Sequence, residues 1–147
     1  MNKNNYINLA NKAANLQIQE LKKIKKVFNK SFIKAVDLIL NCKGKVILAG
    51  IGKSGLIAKK ISATFSSVGI PSFFCDPAQA LHGDMGQIER KDILIIFSYS
   101  GNTSELTNML KYANRFRIKI IGVASKSDSL LLKASDIKLL LPRVKES

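Results

Sequence analysis

The chain has 147 residues, of which 46% are hydrophobic, and a formal net charge of +14. This length suits a single domain, and the apolar fraction is sufficient for a buried core. The positive charge raises the question of a nucleic-acid partner. However, the lysines are scattered and lean toward the N-terminus, there is no Trp, and neither aromatic-basic stacking nor zinc-finger spacing accompanies them. We therefore expect solvated basic helix faces and no nucleic-acid partner.

The cysteine pattern and the longest apolar runs exclude further classes of protein. Cys42 and Cys75 have no CxxC partner, so we expect two buried free thiols and no metal site. No apolar run reaches the ~20 residues that a membrane-spanning helix needs, and Met1 is followed by polar residues rather than by a signal core. These features predict a soluble cytoplasmic protein without a membrane partner.

The first third of the chain carries apolar residues at helical spacing, from about residue 7 to residue 41, with no interrupting proline. This pattern predicts one long helix or two. Such a stripe usually packs into a core or against a partner helix, and both arrangements fit here.

From residue 44 onward, short apolar runs alternate with helical patterns. We predict strands at 45–50, 72–75, 92–97, 119–123 and 137–141, and helices at 54–68, 103–116 and 129–134. The residues predicted to face inward in the first of these helices are Leu56, Ile57, Ile61, Ala63 and Phe65. Strands that are apolar on both faces and alternate with helices predict an α/β fold, with a five-stranded parallel sheet covered on both sides. Ligands of such folds bind at the carboxyl ends of the strands.

The first glycine-rich loop, GIGKSG at 50–55, follows the first of these strands. It matches G-x-G-x-x-G, and Asp76 ends the next strand, as in a dinucleotide site. The glycines could instead serve only a tight turn from strand to helix. A Walker P-loop is excluded, because Ile47 stands where that motif requires glycine. Lys53 suits a site where an ammonium group approaches a phosphate or an oxyanion.

The second loop, SYSGNTSE at 98–105, follows the third strand. Ser98, Ser100, Asn102, Thr103 and Ser104 supply hydroxyl groups and an amide, and Gly101 lets backbone N–H groups approach an anion. Helix capping explains one of these residues but not the whole cluster. The two loops together predict a phosphorylated small molecule held between them.

Three segments, GIGKSG (50–55), LHGDMG (81–86) and SYSGNTSE (98–105), resemble the sugar isomerase (SIS) domain. More closely, they resemble its arabinose-5-phosphate isomerase branch, from about residue 5 to the end. The resemblance implies a flavodoxin-like three-layer sandwich preceded by one or two N-terminal helices. We treat 1–147 as one SIS domain, with a helical segment at 1–43 and an α/β core at 44–147. The implied reaction interconverts D-ribulose 5-phosphate and D-arabinose 5-phosphate and feeds Kdo and lipopolysaccharide biosynthesis in Gram-negative bacteria.

The resemblance also implies site residues. By motif match, Ser98, Ser100 and Thr103 hold the phosphate and Gly52 and Ser54 lie near the sugar, while Asn102 joins them from its place in the loop. Active-site polar groups fall at Lys53, His82, Glu105 and Glu146. Isomerisation moves a proton between C1 and C2 through an enediol, which requires a base and a group that stabilises the enediolate oxygen. Either glutamate is a candidate base, Lys53 or His82 is the electrophilic or ring-opening partner, and no cofactor or metal is required.

The residues alone allow other interpretations. Glu105 could simply favour a helix dipole, His82 could pair structurally with Asp84, Glu146 could belong to a tail, and Lys53 could be solvated. The family continues well past the segment matching 145–146, so we expect a fragment, a split gene product or a decayed copy. The alternatives are a non-catalytic sugar-phosphate-binding module or inactive remnant and, third, a dinucleotide-binding module. Family sites form at subunit contacts, which predicts a homo-oligomer, a dimer or tetramer, packed through the first helices.

Overall fold

The computed structural model describes residues 3–80 and 83–144. The N-terminal region forms helix α1 (Lys3–Lys23), a short 3₁₀ segment (Ile24–Val27) and helix α2 (Lys30–Leu40). The helical stripe is therefore two helices, the second of the two predicted alternatives. Asn29 caps α2, because its side-chain oxygen accepts a hydrogen bond from Ser31 N at 2.8 Å.

Strands and helices alternate through the rest of the chain as predicted. The order is β1 (Val46–Gly50), α3 (Lys53–Ser67), β2 (Ser72–Cys75), β3 (Ile93–Phe97), α4 (Leu106–Arg115), β4 (Lys119–Ala124), α5 (Leu130–Ala134) and β5 (Ile137–Leu140). A 3₁₀ turn (Asp84–Gln87) lies between β2 and β3. Each predicted strand and helix is present, with its ends shifted by a few residues at most.

The five strands form one parallel sheet in the order β2-β1-β3-β4-β5, which confirms the predicted fold class. The strand order reverses direction between β1 and β3, whose last residues, Gly50 and Phe97, are paired. Because the strands are parallel, the loops that follow β1 and β3 leave the same edge of the sheet side by side. This junction is a topological switch point, where open α/β sheets bind ligands.

The sheet is buried on both faces, which explains why the central strands are apolar throughout. On one face, Ile47, Leu94 and Ile120 pack in a cluster with buried residues of α4 and α5. On the other face, Leu48 and Ile95 form a second cluster with residues of α2 and α3.

The predicted inward face of α3 is largely wrong. Leu56 and Ile57 are 67% and 55% exposed, and Ala63 is also exposed, whereas Ile61 and Phe65 are half-buried. The buried positions are the small residues Gly55, Ala58 and Ser62. The helix lies so close to the sheet that a Cβ atom on Gly55 would come within 2.7 Å of the Gly50 carbonyl oxygen. Small side chains therefore make the closest approach to the sheet, and Leu56 and Ile57 point away from it.

Helix α1 contributes little to the core. Its apolar residues Ile7, Leu9 and Leu21 are each more than 60% exposed. The apolar stripe of this helix therefore faces outward in the single chain. Within the described ranges, no helix combines the length and the apolar character needed to cross a membrane.

Candidate functional site

The loop after β1 brings the start of α3 to the carboxyl edge of the sheet. Gly50 and Gly55 allow the close contact between strand and helix, since a Cβ atom on Gly50 would lie 2.9 Å from the carbonyl carbon of Ser54. Gly52 adopts a left-handed φ of +57° and has open space where a Cβ would stand. The first turn of α3 contains no acidic residue, so its backbone N–H groups offer a favourable position for an external anion.

The loop after β3 is held in shape by its own hydroxyl groups. The hydroxyl oxygens of Ser98 and Thr103 are 2.9 Å apart, and Gly101 N donates to Ser98 Oγ at 3.1 Å. Asn102 N donates to Ser100 Oγ at 3.3 Å. Gly101 has a φ of +67°, and a Cβ there would collide with the side chain of Ser129. The glycine is therefore required for both its backbone conformation and the space beside it.

A cavity of about 190 Å³ lies between the two loops. It brings together three predicted site residues, Lys53, Ser54 and Ser98. The remaining lining is largely apolar and comes from Ile57, Phe97, Tyr99, Val123 and Leu141. One ammonium group and three hydroxyls, those of the two serines and of Tyr99, suit a small ligand that carries one anionic group.

The other residues predicted for binding lie beside this cavity or serve another contact. Gly52 immediately precedes Lys53, and Ser100 and Thr103 belong to the second loop. The side-chain oxygen of Asn102 accepts a hydrogen bond from Leu130 N at 2.8 Å, at the start of α5. Asn102 thus has a structural contact, and its role in phosphate binding stays a prediction.

Glu105 is exposed and makes a local contact. Its carboxylate accepts a hydrogen bond from Ser104 Oγ at 2.7 Å. This bond lowers the pKa of Glu105, and a backbone hydrogen bond at the same residue lowers it further. Glu105 is therefore ionised at neutral pH, the state that a general base requires. Two other predicted catalytic residues, His82 and Glu146, lie outside the described residues.

Tyr99 is a cavity residue that sequence reasoning did not single out, although it lies within the second loop. Its hydroxyl accepts a hydrogen bond from Val144 N at 3.1 Å, and its carbonyl accepts from Ser125 N and Oγ. Leu141 N donates to Ala124 O at 2.8 Å. These bonds fix the segment after β5 along the rim of the cavity. This role of Tyr99 is visible only from its contact with Val144, which is distant from it in the sequence.

Cys75 ends β2 and Asp76 follows it, so a thiol and a carboxylate lie at the carboxyl edge of the sheet. Burial, assisted by the negative charges of Asp84 and Asp76, raises the pKa of Cys75 to about 11, so the thiol is protonated at neutral pH. Cys42 is half-buried rather than buried, and both cysteines are free. Asp76 accepts a hydrogen bond from Ala78 N at 2.9 Å within a turn, an alternative use for the carboxylate of the dinucleotide interpretation.

Comparison with known proteins agrees with this geometry. The family model of the SIS domain matches residues 39–147. The chain belongs to the SIS domain family. Arabinose 5-phosphate isomerase GutQ of Escherichia coli K12 is 40% identical over 125 residues, which make up 85% of this chain and 39% of GutQ.

Two solved structures share the SIS fold over the whole chain. A Listeria monocytogenes protein proposed to be a sugar-phosphate isomerase has a TM-score of 0.93 at 30% identity, with 77% of that protein covered. An Escherichia coli CFT073 protein in complex with arabinose 5-phosphate has a TM-score of 0.86 at 33% identity, with 78% covered. The chain spans less than half the length of the curated relatives it matches, between 39% and 46%. These results confirm the SIS resemblance and the fold.

Proposed function

We propose that this SIS domain carries the aldose–ketose isomerisation of D-arabinose 5-phosphate and D-ribulose 5-phosphate, in the cytoplasm and in support of Kdo and lipopolysaccharide biosynthesis. The observation that carries this proposal is the cavity at the switch point, where Lys53 and Ser54 face Ser98 across the β1 and β3 loops. The similarity to GutQ and to the Escherichia coli CFT073 protein bound to arabinose 5-phosphate supports the choice of substrate.

The proposed mechanism divides binding and proton transfer between two sets of residues. Hydroxyls of the second loop and the N-terminus of α3 bind the phosphate group. A carboxylate, Glu105 or Glu146, removes the proton from C2 of the aldose and returns one to C1. Lys53 or His82 stabilises the negative charge that develops on the carbonyl oxygen of the enediolate, or assists ring opening. We also propose that 1–147 acts as one domain, with its helical segment at 1–43.

The second candidate function is a sugar-phosphate-binding module without catalysis. The described residues favour it in one respect: the cavity contains binding groups, but the carboxylate of Glu105 points to Ser104 and does not line the cavity. This second candidate includes an inactive remnant of such an isomerase.

One assay separates these functions. The purified chain is incubated with arabinose 5-phosphate, ketose formation is followed, and melting temperature is measured with and without the sugar phosphate. Turnover supports the isomerase, and stabilisation without turnover supports the binding module. Stabilisation by NAD and not by sugar phosphate would contradict both.

The role of Lys53 is tested by Lys53→Ala, with Lys60→Ala, an exposed position on the same helix, as the matched control. We expect Lys53→Ala to lower turnover by roughly 100-fold, as for loss of one group that stabilises an oxyanion. Lys60→Ala should match the unchanged chain. Equal turnover of all three proteins would remove Lys53 from the mechanism.

We further propose that the chain forms a homo-oligomer through α1. The supporting observation is its exposed apolar stripe, which includes Ile7, Leu9 and Leu21. Leu9→Glu should shift the mass measured by sedimentation toward the monomer, whereas Lys12→Glu, an exposed polar position on α1, should not. An unchanged mass of the Leu9→Glu variant would place the contact elsewhere.

A further inference from the structure

Another cavity, lined mainly by polar residues, lies at the amino edge of the sheet, at the opposite end of the strands from the site described above. Its volume is about 460 Å³, and its lining comprises Arg90, Asn114, Arg117, Ile118, Lys119 and Asp136. Arg90 precedes β3, Arg117 follows α4, and Lys119 begins β4. Three cationic side chains and one carboxylate therefore face a single cavity.

The carboxylate in this cavity already has partners. Asp136 accepts hydrogen bonds from Lys119 Nζ at 2.6 Å and from Ile120 N at 2.9 Å. Among the described residues, neither Arg90 nor Arg117 forms an ion pair, and the neighbouring Glu89 pairs with Lys45 and Lys91. The two guanidinium groups thus have no carboxylate partner within the described ranges.

The backbone of Arg117 is unusual for a residue with a side chain. Its φ is +56°, and it is the one non-glycine residue with positive φ in the described part of the chain. Hydrogen bonds from Ile118 N to Ala113 O (2.9 Å) and from Arg117 N to Asn114 O (3.2 Å) form the end of α4. These bonds define a Schellman motif, in which this position usually carries glycine. Arginine therefore occupies a strained position, and its side chain lines the cavity.

We propose that this amino-edge cavity is a second anion site, and that it binds a phosphate-bearing ligand through Arg90 and Arg117. A guanidinium group forms paired hydrogen bonds to phosphate oxygens, and Asn114 adds an amide donor. The C-terminal end of α4 carries a partial charge of about −0.5, which disfavours an anion. Three cations against one carboxylate and this partial charge still leave a net positive cavity, so the electrostatic balance favours the anion.

The two cavities lie at opposite ends of the same elements. β3 separates Arg90 from Ser98, and α4 begins after the second loop and ends before Arg117. The proposal therefore does not depend on the sugar-phosphate function, and the two sites can be observed separately in one experiment.

The direct test is a titration of the ¹⁵N-labelled chain with inorganic phosphate, at constant ionic strength with chloride, followed by amide chemical shifts. We expect two groups of shifts, one at 98–104 and the other at Asn114, Ile118 and Lys119.

Three variants assign these two groups of shifts. Arg90→Gln should weaken the phosphate affinity measured from the second group by roughly tenfold and leave that of the first group unchanged. Ser98→Ala should do the reverse, and Lys111→Gln, an exposed position on α4, should alter neither. Shifts confined to 98–104, or an unchanged second group in Arg90→Gln, would overturn the proposal.

A second test distinguishes anion binding from simple compensation of the α4 dipole. Arg117→Gly should fold, because glycine adopts this φ freely. With Ser98→Ala as the starting protein, phosphate should raise the melting temperature less when Arg117→Gly is added than when it is not. An equal rise in both would show that Arg117 serves only the helix end, and it would also overturn the proposal.

Discussion

The two edges of the sheet satisfy their polar groups by different means. At the amino edge, the protein supplies its own carboxylates. Asp92, whose side chain is 0% exposed, accepts hydrogen bonds from Lys45 N at 2.7 Å and from Glu89 N at 2.8 Å. Lys45 Nζ lies 3.4 Å from the same carboxylate. One buried charge therefore joins the starts of β1 and β3.

At the carboxyl edge, short hydroxyl side chains take the place of carboxylates. Ser98 and Thr103 hold the second loop, and no acidic residue occupies the first turn of α3. A helix N-terminus without a carboxylate of its own is a favourable position for an external anion. The difference is that a buried ion pair fixes the starts of β1 and β3 at the amino edge, whereas hydroxyl groups shape the loop at the carboxyl edge and no carboxylate stands at the start of α3. Variants of Asp92 should accordingly change stability alone, whereas variants of the second loop should also change binding.

The largest expected effect is at Asp92, on the amino edge. Asp92→Ala removes the acceptor for two backbone N–H groups and the partner of Lys45, so we expect the free energy of unfolding to fall by about 3 kcal/mol. Urea unfolding measures the loss, with Asp37→Ala, an exposed carboxylate on α2, as the control. Affinity for sugar phosphate in the folded fraction should be unchanged. A loss below about 0.5 kcal/mol, the range of ordinary surface substitutions, would refute this account of the amino edge.

At the carboxyl edge, Gly101→Ala should affect both stability and binding. The added Cβ collides with the side chain of Ser129, and the φ of +67° disfavours alanine. We expect a loss of about 2 kcal/mol in the free energy of unfolding and weaker binding of sugar phosphate. Gly86→Ala, where a Cβ would meet open space, is the matched control. Unchanged binding in the Gly101 variant would separate the shape of this loop from its proposed role.

The smallest expected effect is a pH dependence at Asp136. Burial opposes ionisation, but hydrogen bonds from Lys119 Nζ and Ile120 N lower the pKa of Asp136 in the folded chain. A lowered folded pKa stabilises the fold above the ordinary pKa of 3.8, and the contribution disappears as pH falls through the folded value. The side chain is 35% exposed, so we expect less than about 1 kcal/mol. Asp136→Asn should reduce the difference in urea midpoint between pH 6 and pH 3. An identical difference in both proteins would contradict this.

Periodicity identified the α/β elements because a strand buried on both faces must be apolar at every position, as in Val46–Gly50 and Ile93–Phe97. The same reasoning failed for the orientation of α3. Hydrophobicity favoured Leu56 and Ile57 as buried residues, whereas the close approach of the helix to Gly50 selected Gly55 and Ala58. Backbone separation between two elements is not encoded in the periodicity of either one.

The loop motifs likewise identified part of the site. Lys53, Ser54 and Ser98 were found from two glycine- and serine-rich loops, and the structure brings them to one cavity. The contact between the Tyr99 hydroxyl and Val144 could not be predicted, because the two residues are 45 positions apart and no local pattern links them. The amino-edge cavity was missed for the same reason, since Arg90, Arg117 and Asp136 belong to three different connections.

The amino-acid sequence by itself determined the alternation of strands and helices, the parallel sheet and the two loops that suit a phosphate. These follow from local periodicity and turn chemistry, which act over a few residues. Tertiary structure decided the strand order, which side of α3 meets the sheet and how closely Lys53 and Ser98 approach. It also gathered the arginines at the opposite edge. Those outcomes depend on how separate elements pack, and packing is fixed only when the whole core forms.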